Sequence, residues 1–146
     1  TYYQLLLYII FSLSCKNPFS KIKLMEEIKI INRVVIPPYD EYDLSTLVVS
    51  DNTVYIGHIG AGGKTIEEQL ENIFKKLKNY LKEIDLSLEN VVKLTVILKD
   101  INDFKKMHKI WCKYFEEGSY PVRAVITSDF INENCHVQIE GIARKN

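Results

Sequence analysis

Between residues 65 and 100 the apolar residues change period abruptly, and that change limits the folds open to the chain. Ile66, Leu70, Ile73, Phe74, Leu77, Leu81 and Ile84 recur at helical spacing with Lys and Glu between them, the pattern of an amphipathic helix with one apolar stripe. Thr65-x-x-Glu68 in front of them is a capping box. A few residues later, "NVVKLTVILKD" alternates strictly. Val92, Leu94, Val96 and Leu98 share one face, and Val91, Lys93, Thr95 and Ile97 the other, as in a half-buried strand. A one-striped helix joined to a one-faced strand can bury both surfaces only by lying on a sheet.

The flanking segments extend the same scheme. "EIKIINRVVI" is a β-rich run stopped by Pro37 and Pro38, which cannot donate to a ladder. "PPYDEYD" is a polar connection carrying Tyr39 and Tyr42. "STLVVSDNTVYIGHIG" reads as a hairpin turning at Asp51 and Asn52, and "GAGGK" as a flexible loop. Asn102 or Asp103 is expected to cap a second helix, with Phe104, Met107, Ile110, Trp111, Tyr114 and Phe115 on its apolar side and Gly118 ending it. "PVRAVITSDFINENCHVQIEGIA" supplies two last strands, joined around "DFINEN". The order β-β-β-α-β-α-β-β predicts an α+β domain, a mixed sheet with two helices on one face.

This domain is expected over residues 25–146. Residues 1–24 stand apart. "YYQLLLYIIFSLSC" is apolar for about a dozen residues, short of the roughly twenty that cross a bilayer, and "KNPFSKIK" follows with no acid before Glu26. The stretch is either a leader with an organellar transit segment or a hydrophobic arm packed on the domain or on a neighbouring subunit. The folded domain itself gives no reason to expect a membrane partner.

Charge and cysteine content narrow the function. At 146 residues with zero formal net charge, the chain has no electrostatic footprint for nucleic acid. Cys15, Cys112 and Cys135 have no paired spacing, which suits reduced thiols in an intracellular compartment: the cytoplasm, or an organelle (mitochondrion or plastid) if residues 1–24 are a targeting leader. "GHIGAGGKT" falls one residue out of step with a phosphate loop. His58, His108 and His136 lack metal-ligand spacing.

Arg123 and Glu140 remain. Both sit inside apolar strands, Arg123 on the face of Val125 and Thr127, and Glu140 with His136 and Gln138 opposite Val137 and Ile139. If the two strands approach each other, within one chain or across a subunit boundary, a guanidinium fork and a carboxylate would face one cavity. The fork suits two-point capture of a substrate carboxylate, and the glutamate suits activation of water or proton exchange with a substrate nitrogen. A structural Arg–Glu bridge is the other reading.

"SLENVVKLTVILKDINDF" and "PVRAVITSDFINENCHVQIEGIA", with "NTVYIGHIG" and "EEQLENIFKKLKNYL", resemble the Rid family (RidA, also called YjgF) of imine deaminases. The Pro-x-Arg at 121–123 and the hydrophobic-x-Ile-Glu ending at Glu140 are the most specific part. The resemblance implies a chorismate-mutase-like protomer forming a homotrimer with clefts between subunits. It implies cofactor-free hydrolysis of enamines and imines such as 2-aminoacrylate and 2-iminobutyrate to 2-keto acids and ammonia. Carried over, Arg123 would bind the substrate carboxylate, Glu140 would position the attacking water, and a backbone group near Gly57 would meet the substrate nitrogen. His108 falls on the family's cleft asparagine, and Tyr42 reaches the place of its tyrosine only with a shift, since Leu44 aligns there without gaps. The serine expected before Gly57 is missing, and Val125 stands where a cysteine is common. These departures leave a second class open, a non-catalytic or differently specific trimer that binds carboxylate metabolites or a protein. The older family description as translation inhibitor or endoribonuclease fits a neutral chain least.

Overall fold

The computed structural model describes residues 31–38, 41 and 43–145. The amino-terminal segment 1–24, the beginning of the first expected strand, and Tyr39 and Tyr42 lie outside them. Arg33–Asn146 forms one compact unit. Its elements are β1 (Ile31–Val34), β2 (Leu47–Ser50), β3 (Thr53–Ile59), α1 (Ile66–Lys82), β4 (Val91–Leu98), α2 (Phe104–Tyr114), β5 (Val122–Thr127) and β6 (Val137–Arg144). This is the expected order.

The six strands form one sheet in the order β1-β2-β3-β6-β4-β5. β2–β3, β3–β6 and β6–β4 are antiparallel, and β4–β5 is parallel, as a strand–helix–strand crossover through α2 requires. The hairpin turns at Asp51 and Asn52, with Ser50 opposite Thr53 and Asp51 at a φ of 52°. Both helices cover one face. Leu70, Ile73, Phe74 and Leu77 of α1, with Met107 and Trp111 of α2, pack on Val54, Ile56, Leu94, Val96, Leu98 and Ile139 in a single core. Phe74 is its hub, meeting Trp111, Tyr114 and Phe115 at ring-centroid distances of 6.1, 4.7 and 5.6 Å. Among the described residues, no helix lies on the opposite face of the sheet.

Several expected details move. Thr65 caps α1 by accepting from the Glu68 amide at 3.2 Å, but the Glu68 carboxylate reaches back to the Lys64 amide rather than to that of Thr65. The strict alternation of β4 fails at its start, where the pairing with β6 slips between Val91 and Lys93. That bulge turns Val91 into the core (4% exposed) and Val92 out (41%), because one extra residue swaps the faces of all that precede it. Farther along, Thr95 and Ile97, on the side away from the helices, are 8% and 6% exposed, so neighbouring side chains leave β4 nearly buried on both faces there rather than half-buried. Asp103 precedes α2 but makes no capping bond; the Asp100 carboxylate accepts instead from the Asn102 amide at 2.9 Å, in a short 3-10 turn. α2 stops at Tyr114, and Gly118, at φ +88°, shapes the turn beyond it.

Two polar contacts tie the helices in. Gln69, on the apolar side of α1 and 1% exposed, donates to the carbonyls of Gly63 (3.0 Å) and Asn134 (2.7 Å) and accepts from the His136 amide (2.8 Å). It thereby clamps the glycine loop and the β5–β6 connection to the helix. Gln69→Leu would orphan three backbone groups, and a loss of about 2–4 kcal/mol is expected. Urea unfolding measures it; a change below about 0.5 kcal/mol, the usual scatter of surface substitutions, would remove Gln69 from this role.

On the outer side, Glu71 of α1 accepts from Lys113 Nζ (2.6 Å) and from the Tyr114 hydroxyl (2.8 Å). The hydrogen bond from Lys113, then that from Tyr114, hold the Glu71 carboxyl below its ordinary range. Burial, then the Glu71 carboxylate, push the Tyr114 phenol up to about 12. The folded state thus prefers the neutral phenol, and this stabilisation is complete below pH 10 and lost as pH rises through 12. Thermal melts should show a shallower decline across that window for Tyr114→Phe than for the wild-type protein. Parallel declines would mean that the contact does not couple to folding.

Candidate functional site

The register of the strands decides where Arg123 and Glu140 point. Across the parallel pair Arg123 lies opposite Leu94, and across the antiparallel pair Glu140 lies opposite Thr95. Leu94 points into the helix-covered core and Thr95 to the uncovered face. Arg123 and Glu140 therefore occupy opposite faces of one sheet. Within one chain they neither bridge nor share a cavity, so the reading as an intrachain salt bridge is overturned. Two half-sites result.

The first is built on β5 and α2. The Arg123 guanidinium lies over the rings of Trp111 (4.7 Å to the centroid) and Phe104 (5.7 Å), and Phe104 stacks on His108 at 6.2 Å. Helical spacing explains the trio: 104, 108 and 111 rise on one side of α2. Arg123 Nη1 is 3.2 Å from His108 Nδ1, a contact in which the guanidinium donates and the ring nitrogen must hold a lone pair. No carboxylate pairs with Arg123 among the described residues. The rings fix the plane of the cation while leaving most of its N–H groups unused, a geometry suited to a planar anion. Exposed Cys112 has its Sγ 3.7 Å from His108 Nε2. Cys135, by contrast, is buried, with its thiol donating to the Val137 carbonyl at 3.4 Å and pushed up by that burial. Val125, in the place of the cysteine common in similar sequences, packs against the core.

The second half-site lies on the uncovered face. β3 pairs with β6 through Ile56–Gly141 and then Ile59–Ile139, so Gly57 and His58 together oppose Glu140. This bulge turns His58 outward and returns Ile59 to the core. His58 Nε2 stands 3.4 Å from Glu140 Oε2. Gly57 is needed where it is: a Cβ would press on the Ser45 and Thr46 carbonyls, each 3.3 Å away, and its amide already donates to the Thr46 carbonyl at 3.1 Å. At Gly141, next to Glu140, a Cβ would run into the Lys93 carbonyl. A cavity of about 540 Å³ opens here, with His58, Glu140, Thr95, Gln138 and Asp129 among its polar lining and Ile97, Ile126 and Phe130 among its apolar walls.

Sequence reading thus found Arg123, Glu140, Gly57 and His108, and the structure gathers them in pairs: Arg123 with His108, and Gly57 beside Glu140. It missed His58, Trp111 and Phe104 as site residues. The one available signal for His58 was the glycine before it, a frequent companion of bulges.

Comparison with known proteins gives the family. Residues 37–145 match the family model described as Endoribonuclease L-PSP. A Pyrococcus abyssi RutC family protein is 39% identical over 80 residues, 55% of this chain, and the chain spans only 62% of that relative's length. The human 2-iminobutanoate/2-iminopropanoate deaminase is 33% identical over 109 residues, covering 68% of this chain and 77% of that protein. A solved structure from Streptococcus pyogenes, a member of the yjgF family, superposes with a TM-score of 0.71 at 24% identity over 80% of this chain and 98% of that one. By fold, by the span of the family match and by its curated relatives, the chain belongs to the Rid family, the YjgF/RutC proteins of the Endoribonuclease L-PSP family model.

Proposed function

We propose that the protein hydrolyses small 2-imino acids, and their enamine tautomers, to 2-keto acids and ammonia in clefts between the subunits of a homotrimer. The observation that carries this reading is Arg123, a guanidinium oriented by two aromatic rings and left without a carboxylate partner among the described residues. Human, rat and mouse relatives at 33–36% identity, each named for this deamination, support it.

The division of Arg123 and Glu140 between two faces supports the trimer. β5 is an edge strand, and its uncovered side presents Val122 (69% exposed) and Ile126 (50%), an edge that a soluble protein normally covers. A second copy laid against it would bring its own Glu140 toward Arg123.

In this cleft Arg123 holds the substrate carboxylate by two parallel hydrogen bonds. Water adds through its oxygen to C2 of the protonated imine, and one of its protons passes to Glu140. Glu140 returns that proton to the nitrogen, the C–N bond breaks with its electron pair leaving on ammonia, and the remaining hydroxyl proton ends on that ammonia. Iminium and water thus give keto acid and ammonium, with no redox change and no cofactor. A backbone group near Gly57 receives the substrate N–H.

A second reading, a trimer that binds keto acids without turning over imines, is favoured by the altered surroundings: no serine before Gly57, His108 beside the arginine, and Val125 partly buried against the core. Coupling purified threonine dehydratase to this protein separates the two. Release of 2-oxobutanoate faster than the spontaneous rate is expected; an unchanged rate at saturating protein would leave only the binding reading.

A further inference from the structure

We propose that His58 is a positioning residue for Glu140, so that the water-activating group is a His58–Glu140 pair rather than a lone carboxylate. The inference rests on the hydrolytic role given to Glu140 above and adds a residue to it.

Three observations carry it. The β3 bulge spends an extra residue opposite Glu140 and so moves His58 from the core side to the uncovered side. Regular pairing would have put a histidine into the apolar core and Ile59 into water, so the bulge gains both a sealed core and a polar neighbour for Glu140. Second, His58 Nε2 at 3.4 Å is the one polar side-chain partner Glu140 has among the described residues. The other carboxylate oxygen stays unengaged beside a cavity of about 540 Å³. Third, the pair stands over a floor of Thr95 and Ile97, both nearly buried, with Gln138 alongside, so it borders the cavity instead of open solvent alone.

A glutamate side chain on a strand rotates freely about its bonds unless something holds it. The His58 ring, with Nε2 3.4 Å from Oε2, restricts that rotation and leaves Oε1 as the base, as neighbouring polar groups orient carboxylates in catalytic sites. Because Glu140 and not His58 meets the water, His58 should govern the rate of the chemical step more than binding, which Arg123 dominates.

The test uses the full chain, with 2-iminobutanoate generated in place and 2-oxobutanoate as a non-reacting ligand. His58→Phe should lower kcat about 10- to 100-fold, the fold-change for losing one polar contact to a charged group, with KM within about twofold. His58→Gln, whose amide nitrogen falls near the Nε2 position, should recover most of that loss. In a Glu140→Gln background, His58→Phe should cost nothing more, since the two act as a unit. A kcat for His58→Phe equal to that of the folded wild-type protein, or additive losses in the double variant, would overturn the proposal. Should the wild-type protein turn over no imine, the hydrolytic reading falls, and carbon-13 NMR of the His58 ring then decides the pair by itself. Ring signals that move on addition of 2-oxobutanoate in the wild-type protein but not in Glu140→Gln keep the pair as part of a keto-acid site. Unmoved signals end it.

Discussion

Arg123→Lys is expected to lower kcat/KM for 2-iminobutanoate about 30- to 150-fold, the equivalent of losing about 2–3 kcal/mol of charge-assisted, two-point contact. Lysine keeps the charge, so a loss of this size would isolate the planar fork as the feature that matters. Stability should change little. The guanidinium rests on Trp111, which is 3% exposed, and on Phe104, which is 38% exposed, and such stacking at a partly exposed arginine contributes about 0.5–1 kcal/mol. If Arg123 served only that packing, lysine would lower the melting temperature by a few degrees and leave turnover per folded protein intact. Melting temperature and imine hydrolysis measured on one preparation distinguish the cases. The neighbouring His108 sharpens them: its Nδ1 occupies one donor of the fork at 3.2 Å, so a substrate carboxylate has to take the others.

How far the sequence carried depended on whether a feature was local. α1 was readable because its apolar residues keep the 3.6-residue period for five turns, and the 51–52 turn because few residue pairs other than Asp-Asn and its kin tolerate it. The layer order followed from those two periods. Side-chain facing was not local. Two bulges, one at Val91–Lys93 and one at Gly57–His58, each add a residue to a strand, and strand parity counted through either is inverted. So Val92 was read as core when it is exposed, and His58 as an ordinary strand polar when it stands against Glu140. Gln69 was passed over for a different reason: a glutamine on an apolar stripe looks like a flaw until the loop carbonyls it satisfies, Gly63 and Asn134, are in place. Arg123 and Glu140 were singled out by being charged inside apolar strands. Whether they meet in one chain depended on the register of both with β4, which no local pattern encodes.

That register gives the prediction most specific to this molecule. Glu140→Gln removes the base while keeping shape, and a fall in kcat of about 10²- to 10⁴-fold is expected. Arg123→Ala removes the anchor and should be comparably poor. One chain holds these residues on opposite faces of its sheet, so a working cleft must draw Arg123 from one copy and Glu140 from the next. Each variant then still carries the group the other lacks. When the two inactive proteins are unfolded together and refolded at equal amounts, random assortment gives about a quarter of clefts with an intact Arg123 from a Glu140→Gln chain facing an intact Glu140 from an Arg123→Ala chain. Activity should rise from near nothing to about a quarter of the wild-type value. Refolding each variant alone controls for the procedure and should give no recovery. A site completed within one chain predicts no recovery in the mixture either, because every chain would have lost one of its two groups. Complementation therefore tests the shared cleft without any structure of the assembly: it asks only whether two defects on different chains can leave one site whole.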